Sequence, residues 1–220
     1  MIVADNCAIL LHGLGRTRRS MVPVQKALTK AGYRVVNIGY PSRHFSIEEL
    51  ATRAIQAGLQ QCPASATVHF VTHSMGGILV RQYLRYHPIA NLGRVVMLAS
   101  PNGGSEVVDK LSGLPGFKWA NGEAGLQLAT SDNSVPNTLG EVCCDLGVIA
   151  GTRSVNPILS TFLPSPNDGK VSVASTRVDG MTDHIQLPVT HTFMMRNKKV
   201  IEQVIHYLAN GEFRRELVDE

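Results

Sequence analysis

The sequence predicts a single α/β domain, spanning residues 1–220, in which a mainly parallel central sheet carries helices on both faces. Two observations carry that expectation. Short β-rich runs alternate with helix-periodic segments from the beginning, the order expected of a parallel sheet with crossover helices. A length of 220 residues, with 44% hydrophobic and 17% charged residues, suits one well-buried core and is short for two.

The elements follow in order. Ala8 to Leu11 is a short apolar run ending in His12-Gly13 and reads as a central strand. Ser20 to Ala31 places Met21, Val24, Leu28 and Ala31 at helical spacing, and Gly32 stops it. Tyr33 to Ile38 is the next strand. Ser46 with Glu49 forms a capping box, opening a helix that runs to about Gln61 before Pro63. Val68 to Thr72 is β-rich, Ile78 to Tyr86 has helical spacing, and Arg94 to Ala99 is a further strand. Between Pro101 and Gly140 the pattern loosens into Gly, Pro, Ser and Asn with scattered apolar residues, which predicts an irregular cap or lid insertion. Strand signals resume at Leu146 to Ala150 and at His184 to Leu187. A last amphipathic helix, Lys198 to Leu208, stops near Asn210-Gly211.

Composition excludes several classes of function. The net charge is +4, and no basic block exceeds the short runs at Arg16, Arg18, Arg19 and at Arg214, Arg215, so nucleic acid is not indicated as a partner. A mildly basic surface is compatible with transient contact with a membrane surface, although ordinary solvated faces give the same balance. No apolar run is long enough to span a bilayer. The opening Met-Ile-Val-Ala-Asp-Asn lacks a basic region followed by an apolar core; no signal peptide is expected, and cytoplasmic, periplasmic and secreted locations all stay open. Of the four cysteines, the adjacent Cys143 and Cys144 match no metal spacing, and buried free thiols are the expected state. No metal, nucleotide or flavin motif is present, so no cofactor is expected.

The chemistry-bearing segment is Thr72-His73-Ser74-Met75-Gly76-Gly77. A serine between a β-rich run and a helical one sits on a tight turn that only small neighbours permit, and the first amide of the following helix, that of Met75, is aimed beside it. The alternative is a helix-capping serine with glycines chosen for packing. A hydroxyl needs a base and an orienting acid to become a nucleophile. Downstream acids are Asp109, Asp132, Asp145, Asp168, Asp179 and Asp183. Asp168 lies in the turn-rich Pro164-Ser165-Pro166-Asn167-Asp168-Gly169 beyond a strand, where a turn aspartate before glycine is an equal alternative. Asp145 precedes its strand, and Asp183 is the reserve. Among the histidines, His191 follows the last strand in a loop, His184 begins that strand, and His206 lies inside the last helix. The loop after the first strand, His12-Gly13-Leu14-Gly15, offers Leu14 as a second amide donor. His12 reads as a loop-shaping residue, and Arg16 and Thr17 as either substrate contacts or solvated loop.

These segments together resemble the bacterial lipase and esterase branch of the α/β-hydrolase superfamily, from about Ala8 to Leu208. The resemblance rests on His12-Gly13-Leu14-Gly15, on Thr72 to Gly77, on Asn167-Asp168-Gly169 with its following valines, and on the His191 loop. Thr72 departs from the usual glycine. The resemblance implies an α/β-hydrolase fold and hydrolysis of a small-molecule or lipid ester without cofactor. It implies Ser74, Asp168 and His191 as catalytic residues, with the Leu14 and Met75 amides as oxyanion hole. Leu114, Phe117 and Trp119 of the insertion are candidates for the acyl pocket, or equally for a small satellite core. An acyltransferase using the same residues and a non-catalytic binding protein are the rival expectations.

Overall fold

The computed structural model describes residues 6–155 and 160–215; residues 1–5, where no signal peptide was expected, lie outside the described part. Six strands form one sheet: β1 (Asn6–Leu11), β2 (Arg34–Ile38), β3 (Thr67–His73), β4 (Leu92–Leu98), β5 (Leu146–Gly151) and β6 (Asp183–Leu187). Their order is β2-β1-β3-β4-β5-β6, and every pairing is parallel. The chain therefore leaves β1 in one direction for β2 and later crosses to its other side for β3. The chain leaving β1 and the chain leaving β3 enter helices on opposite faces of the sheet, the topology at which ligands of open α/β sheets bind beyond the strands' carboxyl ends.

The strands are apolar because both faces of the sheet are covered. On one face, Ile9, Leu11, Phe70, Val95 and Met97 pack against α2 (Ile47–Leu59) and α3 (Met75–Tyr86). On the other, Ala8, Leu10, Val71, Val96 and Leu98 pack against α1 (Val22–Lys30) and a C-terminal helix, Lys198–Asn210. Leu10 and Leu11 are fully buried, each contributing on the order of 1.5–3 kcal/mol. Helix ends follow the chemistry read from the sequence. Ser46 Oγ accepts from Glu49 N at 3.3 Å, and Gly211 ends the C-terminal helix at φ 82°.

Two expectations change. The insertion is not irregular: it contains α4 (Glu106–Leu111), α5 (Phe117–Leu126, kinked at Gly122) and α6 (Val135–Thr138), which makes the C-terminal helix α7. These helices are too short to show a period, and glycines break the pattern within α5 and between α4 and α5. Helix α3 begins at Met75, as the serine turn requires, and packing overrides the poor helix propensity of Gly76-Gly77 there. Cys7 and Cys62 are not free thiols but a disulfide joining β1 to the segment after α2; Cys143 and Cys144 remain free.

Burial holds two histidines of the sheet neutral. His69 Nδ1 accepts from Arg94 N at 2.9 Å, leaving Nε2–H to donate to Asn6 Oδ1 at 3.0 Å; desolvation and then Arg94 hold its pKa down to about 4. Desolvation, then Arg177, does the same to His184, whose Nε2 lies 2.9 Å from Thr176 Oγ1. The unfolded chain takes up protons first as pH falls below the ordinary value near 6.5, and the folded chain only near 4. Stability is therefore expected to be full above 6.5, to fall between there and 4, and to lose nothing more from these groups below that. His69→Gln should make the slope of melting temperature against pH shallower in that window; an unchanged slope would refute the assignment.

Candidate active site

Ser74, Asp168 and His191 each lie on a segment beyond the carboxyl end of a strand, β3, β5 and β6 respectively. Ser74 follows β3 directly with φ 54° and ψ −125°, a left-handed conformation that a side-chain-bearing residue adopts only under constraint. The constraint is close packing. A Cβ on Gly76 would lie 2.7 Å from Leu11 O, and one on Gly77 would lie 2.1 Å from Ser100 Oγ, so the turn closes only with glycine at both positions. Ser100 Oγ in turn donates to Ser74 O at 2.9 Å. Thr72, fully buried within β3, is accommodated because strand rather than turn geometry holds at that position.

Ser74 Oγ has no hydrogen-bond partner among the described residues. The amides of Leu14 and Met75 likewise donate to no other described residue. Leu11 pairs with Thr72 across β1 and β3, so Leu14 and Met75 each stand three positions beyond one register point. Gly13 lies against the serine turn; a Cβ there would meet Ser74 Cβ and His73 Nδ1, both at 3.0 Å. His12 is buried, stacks on Tyr40 with centroids 4.1 Å apart, and places Nδ1 2.9 Å from Gly13 O. Burial lowers its pKa. It shapes the loop.

Asp168 and His191 form one buried unit, 2% and 5% exposed. His191 Nδ1 lies 2.8 Å from Asp168 Oδ2, and His191 N donates to Asp168 O at 3.1 Å. The other carboxylate oxygen, Oδ1, accepts from Lys170 N at 3.0 Å and Val171 N at 2.8 Å. Gly151, the last residue of β5, lets the acid approach: a Cβ there would stand 2.8 Å from Asp168 Cβ. The unit is tied to the serine turn by His73, a residue sequence reasoning quoted only as part of the motif. Its Nε2–H donates to His191 O at 3.0 Å, and the two imidazole centroids are 4.8 Å apart. Burial, and secondarily the neighbouring His191, hold the His73 pKa well below its ordinary value. The position before a turn serine and its polar type were the only sequence signals for this tie.

The rejected acids and bases lie elsewhere. Asp145 pairs with Arg94 at 2.8 Å at the amino end of the sheet, and Asp183 pairs with Arg215 while capping Phe213 N. His206 sits on α7 beside Asn210. Of the proposed acyl contacts, Phe117 packs against the core, whereas Leu114 and Trp119 stand 56% and 90% exposed. Four cavities of about 270 to 680 Å³ are lined by other residues and by neither these three nor Ser74. The insertion nevertheless reaches the site, since a Cβ on Gly125 would be 3.1 Å from Leu14 Cδ2.

A Gly13→Ala substitution is expected to lower kcat for an ester substrate about 100-fold with little change in melting temperature. The added methyl pushes on Ser74 and His73 rather than on the core, and displacement of about 1 Å carries that penalty. Steady-state kinetics with a thermal melt check it; a large loss of stability would point to a scaffold role instead.

Known proteins share the fold that carries these residues. No curated protein sequence matches the chain. Among solved structures, a lipase of Bacillus licheniformis in mature form superposes with a TM-score of 0.74 at 19% identity, covering 94% of this chain and 93% of that one. A phospholipase of Legionella pneumophila gives 0.78 at 15% identity, over 96% of this chain and 60% of the other, and a metagenomic carboxyl esterase gives 0.69 at 21% identity, over 86% and 65%. At such identities the likeness is one of fold. The sequence model of the Alpha/beta hydrolase family matches residues 8–176, and the chain belongs to that family.

Proposed function

We propose that the protein is a serine hydrolase that cleaves carboxylic esters through an acyl-enzyme on Ser74. The observation that carries this reading is a strained serine on a strand-to-helix turn beside a buried, doubly tied histidine–aspartate pair. Lipases, an esterase and a phospholipase among its structural neighbours support it at the level of fold.

In this mechanism His191 Nε2 takes the Ser74 proton as Oγ attacks the ester carbonyl. Asp168 keeps the histidine in the Nδ1–H tautomer and stabilises the imidazolium. The amides of Leu14 and Met75 hold the oxyanion, each such donor supplying about 2.7–4 kcal/mol of transition-state stabilisation. His191 returns its proton to the leaving alcohol, and water then repeats the sequence and releases the acid. Leu114 and Trp119 meet an apolar substrate at an open surface, while Phe117 anchors the insertion that carries them.

Covalent labelling with a fluorophosphonate tests the reading. The wild-type chain should be labelled and Ser74→Ala should not; an unlabelled wild type would favour a binding protein on the same scaffold.

A further inference from the structure

One of the four cavities, of about 630 Å³, lies along the carboxyl half of α3 and the start of β4. Such a volume suits a small-molecule ligand. Arg81 in its wall is seven residues along the helix from Ser74, about 10 Å by helical rise. Its walls are largely apolar, with Leu84, Ile89, Leu92 and Met97 among them.

The polar end of the cavity is unusual. Arg81 is 5% exposed, yet among the described residues it has no ion pair. Its Nη1 donates to Asn102 O and Oδ1 at 3.0 and 3.2 Å, its Nη2 donates to Gly140 O at 2.7 Å, and its Nε–H has no partner. Carbonyl groups satisfy donors without neutralising the charge. Burial accordingly pulls the guanidinium pKa down to about 10. Arg85 adds a second cation to the wall and donates to Leu139 O, against one acid, Glu141. An isolated buried cation is costly unless an anion joins it.

We propose that this cavity binds a long-chain carboxylate, its head group on Arg81 and Arg85 and its chain against Leu84, Ile89, Leu92 and Met97. A small inorganic anion would leave the apolar wall wet, and a neutral lipid would leave the cation unpaired; a fatty acid anion meets both requirements. The site is separate from Ser74 and does not depend on catalysis there.

The test uses the full chain carrying Ser74→Ala, with laurate, 1-dodecanol and acetate as probes in calorimetric titrations. Cys143, exposed and in the same cavity wall, serves as local reporter through its rate of modification by a disulfide reagent. Cys144 is half-buried, and its thiol is pushed up to about 11 by burial, so it contributes little to that signal. Laurate should bind saturably and slow Cys143 modification, with dodecanol and acetate each at least about 10-fold weaker. Arg81→Gln should weaken laurate about 30-fold or more, as loss of one partner of a buried charge pair does. Should Arg81→Gln fail to fold because it also holds Asn102 and Gly140, Ile89→Trp, which fills the apolar part without touching those contacts, decides in its place by the same loss. Laurate binding no tighter than dodecanol, binding that leaves Cys143 reactivity unchanged, or no binding at all would overturn the proposal.

Discussion

His191→Ala is expected to lower kcat for a short nitrophenyl ester by a factor on the order of 10⁴–10⁶ while the folded state persists. Without the imidazole, Ser74 Oγ has no base, and the described structure offers no second group to replace it. His73, the nearest other imidazole, has its Nε2–H committed to His191 O and is held neutral and buried at the strand end. His184 is the second residue of β6 and engages Thr176, near the strand's amino end, whereas His191 follows its carboxyl end. The residual rate should come from binding and from the two amides. Circular dichroism and a thermal melt separate loss of chemistry from loss of fold. Full activity in the variant would remove His191 from the mechanism and return His184 to consideration.

Asp168→Asn should lower kcat by about 10⁴, and the hydrogen bonds explain why an isosteric change is so damaging. Oδ1 of Asp168 receives two backbone N–H groups, from Lys170 and Val171, so the asparagine carbonyl must occupy that place. The amide NH₂ then faces His191 Nδ1, which can only accept. That forces the proton onto Nε2, the atom that has to take the serine proton. Binding should be little affected, so the loss falls on kcat and leaves KM nearly unchanged. A drop mainly in KM, or an activity within about tenfold of wild type, would mean that the carboxylate does not set the tautomer.

Much of this was legible in the sequence, for physical reasons. Both faces of the sheet are covered, so the strands are unbroken apolar runs that announce themselves, and Ser46, Gly32 and Gly211 mark helix ends by their own backbone chemistry. Ser74 and His191 stood out as candidates by their place beside strands at one end of the sheet, whereas Asp168 was an even choice with a turn aspartate until the family resemblance singled it out. Other features depend on tertiary contact alone. The bridge between Cys7 and Cys62 joins residues 55 positions apart, which no spacing rule identifies in a chain of this kind. The bond from His73 to His191 crosses 118 positions. The insertion's helices hid because Gly104, Gly116 and Gly122 interrupt any period, each with positive φ. Arg81 carries no sequence signal of its own, and only its burial against the two ends of the insertion distinguishes it.

The disulfide closes a covalent loop that contains Leu14 but not Met75. Two amides proposed to grip one oxygen atom thus come from either side of a chemical boundary, one inside a closed ring and one on the chain beyond it. No length of polypeptide sets the gap between them. It is gauged by the ladder of hydrogen bonds joining β1 to β3, in which Leu11 faces Thr72, so the precision of the proposed grip is a property of strand alignment more than of either loop.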